Sequence, residues 1–261
     1  VEMAPRDPIL GLNEQYNADP NPAKVNLGVG VYFDDQGKLP LLQCVRAAEQ
    51  AMMEKPAPRG YLPIDGIAAY DNGVKSLAFG ADSDVVQSGR VATVQAIGGT
   101  GALRIGADFL KKVSPNARVL ISDPSWENHR ALFTQAGFTV GTYRYYDAAN
   151  RGINFAGFLA DLQAAPAETI VVLHACCHNP TGYDITPAQW DEVVQVVKSR
   201  KLTAFLDMAY QGFGHGIAED GAVVGKFVAA GVNFFVSTSF SKSFSLYGER
   251  GGALSVVCQS K

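Results

Sequence analysis

Val91-Ala-Thr-Val-Gln-Ala-Ile-Gly-Gly-Thr-Gly-Ala-Leu-Arg-Ile-Gly-Ala-Asp-Phe-Leu110 opens as an apolar run, stops at glycines and continues as a helix. Residues 91–97 read as a strand and residues 100–112 as the helix that follows. A glycine-rich turn between them leaves backbone N–H groups free at a helix N-terminus, which is an anion site, and Thr100 adds a hydroxyl. The turn is neither of two familiar phosphate motifs. A dinucleotide fingerprint would need glycine where Arg104 stands, and a Walker A loop would need Gly-Lys-Ser/Thr.

The same alternation extends to both sides. Strands are predicted at 91–97, 118–122, 139–143, 169–174, 203–207, 233–236 and 253–257. Helices are predicted at 100–112, 126–136, 155–163, 187–199 and 219–230, with two earlier ones at 41–54 and 67–79. Alternation of this kind specifies an α/β fold of three layers, a mostly parallel sheet covered by helices. Upstream, residues 8–17 read as a short helix with Asp7 as N-cap and Pro8 at its first position. Residues 24–32 read as a strand-like run broken by Gly28 and Gly30. The face Leu42, Val45, Ala48 and Met52 is apolar.

Ligands of such sheets bind beyond the carboxyl ends of the strands. Asp123-Pro-Ser-Trp-Glu-Asn-His129 follows one strand: Trp126 either stacks on a planar ligand or belongs to the core. His174-Ala-Cys-Cys-His-Asn-Pro-Thr-Gly182 follows another. His174, Cys176 and His178 share a face there, without a fourth metal ligand in view, and Asn179 offers an amide to a ligand oxygen. Asp123-Pro124 and Asn179-Pro180 are candidate cis bonds. Asp207 ends an apolar strand, so it either caps a helix or pairs with a buried protonated nitrogen, and Tyr210 lies three residues on. The run 232–236 stops in hydroxyls at Ser239-Phe-Ser-Lys242, followed by Arg250. A lone amine beside a guanidinium suits covalent amine chemistry next to a phosphate. Ser239-x-x-Lys242 also fits the serine acyl-enzyme motif, but its Ser-Asp-Asn and Lys-Thr-Gly companions are absent from the sequence. Lysine, acid and phosphate pocket together match pyridoxal phosphate chemistry.

Composition narrows the classes. The 261 residues are 47% hydrophobic and 18% charged with net charge −3, enough apolar mass for a sizeable core. No Lys/Arg run points to nucleic acid, and no apolar run approaches the ~20 residues that span a bilayer. The N-terminal residues do not read as a signal peptide. Four cysteines without a Cys-x-x-Cys pair suggest free thiols in a reducing, cytoplasmic compartment.

The chain resembles the class I, fold-type I aminotransferases of the aspartate and aromatic (tyrosine) amino acid group. The resemblance is carried by Asn26-Leu-Gly-Val-Gly-Val-Tyr32, Tyr61-Leu-Pro-Ile-Asp-Gly66, Gly98-Gly-Thr-Gly-Ala-Leu-Arg104, Ser125-Trp-Glu-Asn-His129 and Cys176-Cys-His-Asn-Pro-Thr-Gly182. Phe205-Leu-Asp-Met-Ala-Tyr-Gln-Gly-Phe213, Ser239-Phe-Ser-Lys242 and Tyr247-Gly-Glu-Arg250 complete it. It implies pyridoxal 5'-phosphate held as a Schiff base on Lys242, with Asp207 on the pyridine nitrogen. Tyr210 and Asn179 would donate to the phenolate oxygen, and Trp126 would stack on the ring. Gly99, Thr100, Ser239, Ser241 and Arg250 would cradle the phosphate. Tyr61 would reach the phosphate of a second subunit, implying a homodimer with shared sites. Gly30, Trp126 and Asn179 would meet the substrate, and His129 and His174 would surround the aspartate. No metal is implied.

The implied reaction is ping-pong transfer of an amino group from an aromatic amino acid or aspartate to 2-oxoglutarate. Residues 1–40 would be an N-terminal arm and part of a small α/β domain, and residues 41–261 the large cofactor-binding domain. Family members continue beyond Lys261, where the arginines for the substrate carboxylates are expected. The alternative is therefore a cofactor-binding remnant or partner with weak or absent turnover. Gly251, where relatives have a larger apolar residue, is expected to loosen its strand. Gly98, where some relatives have serine, leaves one hydroxyl fewer near the phosphate.

Overall fold

The computed structural model describes residues 3, 10–28 and 30–261. It divides into two compact units, Val1–Ala51 and Met52–Lys261. The helices are α1 Leu10–Ala18, α2 Gln43–Glu54, α3 Ala68–Phe79, α4 Asp84–Gln87, α5 Gly98–Val113, α6 Glu127–Gln135, α7 Phe155–Ala164, α8 Pro187–Ser199 and α9 Ile217–Ala230. The strands are β1 Val91–Ile97, β2 Arg118–Asp123, β3 Thr139–Arg144, β4 Tyr146–Asp147, β5 Gly152–Ile153, β6 Ile170–His174, β7 Thr203–Met208, β8 Phe234–Ser239 and β9 Gly251–Val257.

In the first unit, α1 matches the predicted helix, although Asp7 and Pro8 lie outside the described residues. The expected strand over 24–32 does not form among the described residues. Local polar bonds claim its backbone and side chains instead. Asn26 accepts from the Gly28 N–H through its own side chain and donates to Asn13 Oδ1, while Lys24 Nζ donates to the Tyr16 and Asp19 carbonyls. Such side-chain-to-backbone bonds compete with a ladder. Of the expected apolar face of α2, only Val45 is buried.

The second unit is the three-layer α/β body the alternation predicts. Its seven-stranded sheet runs β1-β9-β8-β7-β6-β2-β3. All neighbouring pairs are parallel except β9 with β1 and with β8. Both faces are covered because successive side chains alternate across the sheet. Along β7, Ala204 and Leu206 join the core under α7, α8 and α9, while Phe205 joins the core under α5 and α6. Along β6, Val171 and Leu173 go one way and Ile170 and Val172 the other. Helix α8 starts where its sequence says it should: Pro187 takes the first position, Thr186 accepts from Gln189 N, and Gln189 Oε1 accepts from Thr186 N.

Two expectations about β8 and β9 are corrected. The strand β8 does not stop at Val236 but carries its hydroxyls to Ser239, all buried. Burial is tolerated because they have acceptors: Ser237 donates to the Gly99 carbonyl and Thr238 to the Ala253 carbonyl. Gly251 does not loosen β9. It begins the strand and pairs with Ile97.

The neighbouring Gly252 is the constrained position. A Cβ there would lie 2.4 Å from the Gly98 carbonyl carbon and 2.6 Å from its oxygen. Gly98 itself has φ +72, and a Cβ on it would come within 2.8 Å of the Arg250 guanidinium. The start of β9 thus presses backbone to backbone on the start of α5. Gly252→Ala is expected to cost about 3 kcal/mol, the upper end for overpacking, because the obstacle is main chain. The urea midpoint of the variant checks this; an unshifted midpoint would show that the contact yields.

Candidate active site

Because β9 alone runs against the rest, the carboxyl ends of β1, β2, β6, β7 and β8 share one edge with the start of β9. A cavity of about 210 Å³ opens there, bounded by the first turn of α5 (Gly99 and Thr100), Trp126, His174, Asn179, Asp207, Tyr210, Ser239, Ser241, Lys242 and Arg250. Ten residues singled out in the sequence as catalytic or cofactor-contacting thus line one space. Leu103, Cys176, Ala209 and Tyr247 line it as well. Tyr61 is fully exposed, and Gly30 belongs to the first unit; neither is among the lining residues.

Asp207 is 8% exposed, at the second-last position of β7. It caps no helix. Its Oδ2 lies 2.7 Å from Nε2 of the fully buried His129. The proton positions around it follow from one backbone donor. Asn179 N–H can only donate, so His174 Nδ1 accepts at 3.1 Å and the proton of neutral His174 sits on Nε2. That Nε2 faces Ser125 Oγ at 3.5 Å, and the Ser125 hydroxyl is left to donate to His129 Nδ1 at 2.9 Å. His129 therefore presents Nε2–H to Asp207. Ser125 was quoted in the sequence only as part of a motif; its role depends on a fold that brings two distant histidines to either side of it.

His174 stays neutral because burial, then the neighbouring His129 and His178, push its pKa well below the usual histidine value. His178 stacks between His174 (4.2 Å) and Tyr145 (4.0 Å), with Nε2 on Ser122 Oγ and Nδ1 on Thr181 Oγ1. With their ring nitrogens engaged, His174 and His178 do not form the metal set that the sequence spacing allowed.

Burial, with His129 adding to it, pushes the His178 pKa down to about 4. Between about 4 and the ordinary 6.5 the unfolded chain binds a proton that the native chain refuses, so stability falls as pH falls through that window. The drop should amount to about 3 kcal/mol, from 1.36 kcal/mol per pKa unit. Urea midpoints at pH 7 and pH 4.5 test it, and His178→Gln should lessen the difference.

The Asn179 amide is set by its loop. Asn179-Pro180 is cis, as is Asp123-Pro124. The Asp184 carboxylate accepts from both Cys177 N (2.6 Å) and His178 N (2.8 Å), fixing the turn just before Asn179. Asn179 Nδ2 then reaches Tyr210 Oη at 3.5 Å. Burial and the Asp207 charge raise the Tyr210 pKa, so the phenol keeps its proton and remains a donor. Lys242 Nζ lies 5.2 Å from the Tyr210 ring centroid. Burial lowers its pKa; Asp207 opposes the shift and Arg250 adds to it. Arg250 donates to the Tyr247 carbonyl at 3.0 Å. Trp126 sits just before α6, edge-on to His129.

The site therefore offers an amine eased toward neutrality, a buried carboxylate with a fixed N–H partner, two polar donors and a helix N-terminus beside a guanidinium. The family model for class I and II aminotransferases matches residues 22–261. The chain is 64% identical over 261 residues to an aspartate aminotransferase of Pseudomonas aeruginosa, covering all of this chain and 66% of that protein. It is 51% identical over 260 residues to a tyrosine aminotransferase of Klebsiella pneumoniae, covering 99% and 66%. Among solved structures, an aromatic-amino-acid aminotransferase from Burkholderia pseudomallei covalently bound to pyridoxal phosphate superposes with TM-score 0.97 at 65% identity, covering all of this chain and 65% of that one. The chain spans about 66% of the length of the curated relatives it matches. It belongs to the class I and II aminotransferase family.

Proposed function

We propose that this chain carries pyridoxal 5'-phosphate on Lys242 and transfers an amino group from an aromatic amino acid or aspartate to 2-oxoglutarate. The observation that carries the proposal is the joint placement of Lys242 and Asp207 in one cavity whose far end is a helix N-terminus beside Arg250. The residues fit the cofactor. The first turn of α5 is kept bare by Gly98, where a side chain would displace the Arg250 guanidinium. N–H groups, the Thr100, Ser239 and Ser241 hydroxyls and a guanidinium converge there, a donor set suited to a phosphate dianion.

When bound, the cofactor supplies an electron sink that makes the α-carbon of an amino acid acidic. The chain supplies the rest. Lys242 is the attachment point and, as a neutral amine, takes the α-proton and returns it. Asp207 is the counter-charge to a protonated ring nitrogen and is oriented by His129. Tyr210 and Asn179 donate to a phenolate oxygen, and Trp126 offers a flat face to the ring. Trp126 and Asn179 are the substrate contacts within the second unit.

Residues 41–261 are read as the cofactor-binding domain and residues 1–40 as an arm with part of a small domain. The exposed Tyr61 is available to the phosphate of a second copy, which favours a homodimer. A cytoplasmic setting fits the four free cysteines. No helix among the described residues is long and apolar enough to cross a membrane.

The test is to incubate the protein with pyridoxal phosphate, reduce with borohydride and map the label by mass spectrometry. Aspartate, tyrosine and phenylalanine are then assayed with 2-oxoglutarate. Label on the Lys242 peptide with turnover supports the proposal, and label without turnover favours the remnant reading. No label on Lys242 sinks both.

A further inference from the structure

Cys176 and Cys177 are consecutive, and consecutive side chains of an extended chain point to opposite sides. Here they do not. Cys177 has φ +51, in the left-handed region, and Asp184 holds that turn by accepting its N–H. The two thiols therefore converge, and the Asp220 carboxylate of α9 joins them. One ligand atom from each of the three lies within 4.8 Å of the others, in buried or half-buried surroundings, the one such group among the described residues. Cys176 also lines the cavity described above.

The geometry points to a site for a soft divalent cation of the Zn²⁺ or Cd²⁺ class at Cys176, Cys177 and Asp220, bordering the cavity that Cys176 also lines. A tetrahedral ion with Zn–S bonds of about 2.3 Å holds two thiolates about 3.8 Å apart, which is compatible with ligand atoms that lie within 4.8 Å of one another. Asp220 is anchored as a ligand should be. Its Oδ2 accepts from Gly212 N and Gly214 N and its Oδ1 from His215 N. Burial alone would raise its pKa, but these backbone donors outweigh it and hold the carboxyl below its usual range. The Cys177 thiol donates to the Tyr210 carbonyl at 4.0 Å. Binding of M²⁺ replaces the two thiol protons, which leave to solvent. Two thiolates, one carboxylate and the ion then carry net charge −1, and water takes the fourth position.

The experiment is a Cd²⁺ titration of reduced, metal-stripped protein, following sulfur-to-cadmium charge-transfer absorption, with Zn²⁺ as competitor. The band is expected to saturate at one ion per chain, to vanish in Cys176→Ser/Cys177→Ser, and to persist in Cys44→Ser/Cys258→Ser, which removes the two exposed thiols. Should the double variant not fold, Cys177→Ser alone is expected to lose about half the thiolate absorption. A wild-type band in the Cys176/Cys177 variants, or its disappearance in Cys44→Ser/Cys258→Ser, overturns the site. None of these readouts requires pyridoxal phosphate or turnover.

Discussion

Lys242→Ala is expected to give a folded protein that binds pyridoxal phosphate without covalent attachment and no longer moves the substrate α-proton. Folding should survive because Lys242 is only half-buried in the turn after β8, and burial already works against its charged form. Loss of a positioned general base costs roughly 10²–10⁴-fold in the proton step. Loss of covalent catalysis adds to this, so steady-state turnover should fall below detection. Lys242→Arg should be equally inactive, since a guanidinium keeps its charge and cannot serve as the base. A purely electrostatic role for Lys242 would instead predict that arginine restores activity. The lowered lysine pKa also sets the pH limb. The amine becomes available on a pH scale shifted below the ordinary 10.5, so borohydride-trapped labelling at Lys242 should rise at lower pH than labelling of exposed lysines. Labelling that rises with that of the surface lysines would contradict the assigned environment.

The parts of this protein legible in its sequence are those where one physical rule acts alone. Unbroken apolar runs such as 170–173 and 204–206 can only be central strands of a doubly covered sheet, and β1 and α8 match their predicted bounds residue for residue. The strand-end rule then gathers Lys242, Asp207, Asn179 and Arg250 from separated stretches. Reading fails where two rules compete. In β8, Ser237-Thr-Ser239 has a loop's composition, and only the Gly99 and Ala253 carbonyls make it a strand. Over 24–32, β-like residues lose to the side-chain bonds of Asn26 and Lys24. The short α4 and the β4–β5 pair fall below the length at which periodicity carries information. The Ser125 relay and the converging thiols are products of tertiary contact and of one positive φ, which no spacing pattern encodes.

Asp207→Asn should separate the charge of this residue from its shape. Asparagine fits the same space at the end of β7, and its carbonyl oxygen can still accept from His129 Nε2–H, so the buried histidine keeps a partner and the fold should hold. What disappears is a negative charge in a largely buried setting. Breaking a buried pair by removing one charge costs about 3–5 kcal/mol, which corresponds to roughly 10²–10⁴-fold in the rate of α-proton removal if Asp207 balances a protonated ring nitrogen. The same substitution should act on Lys242. Asp207 is the one influence holding that lysine's pKa up, against burial and Arg250. In the variant the amine should lose its proton at still lower pH, and the pH profile of borohydride-trapped labelling at Lys242 should move down. Asp207→Glu, which restores charge at altered reach, should recover part of the rate. Were Asp207 only an acceptor for His129, the asparagine variant would keep both its rate and its labelling profile, and the carboxylate would have no part in the chemistry.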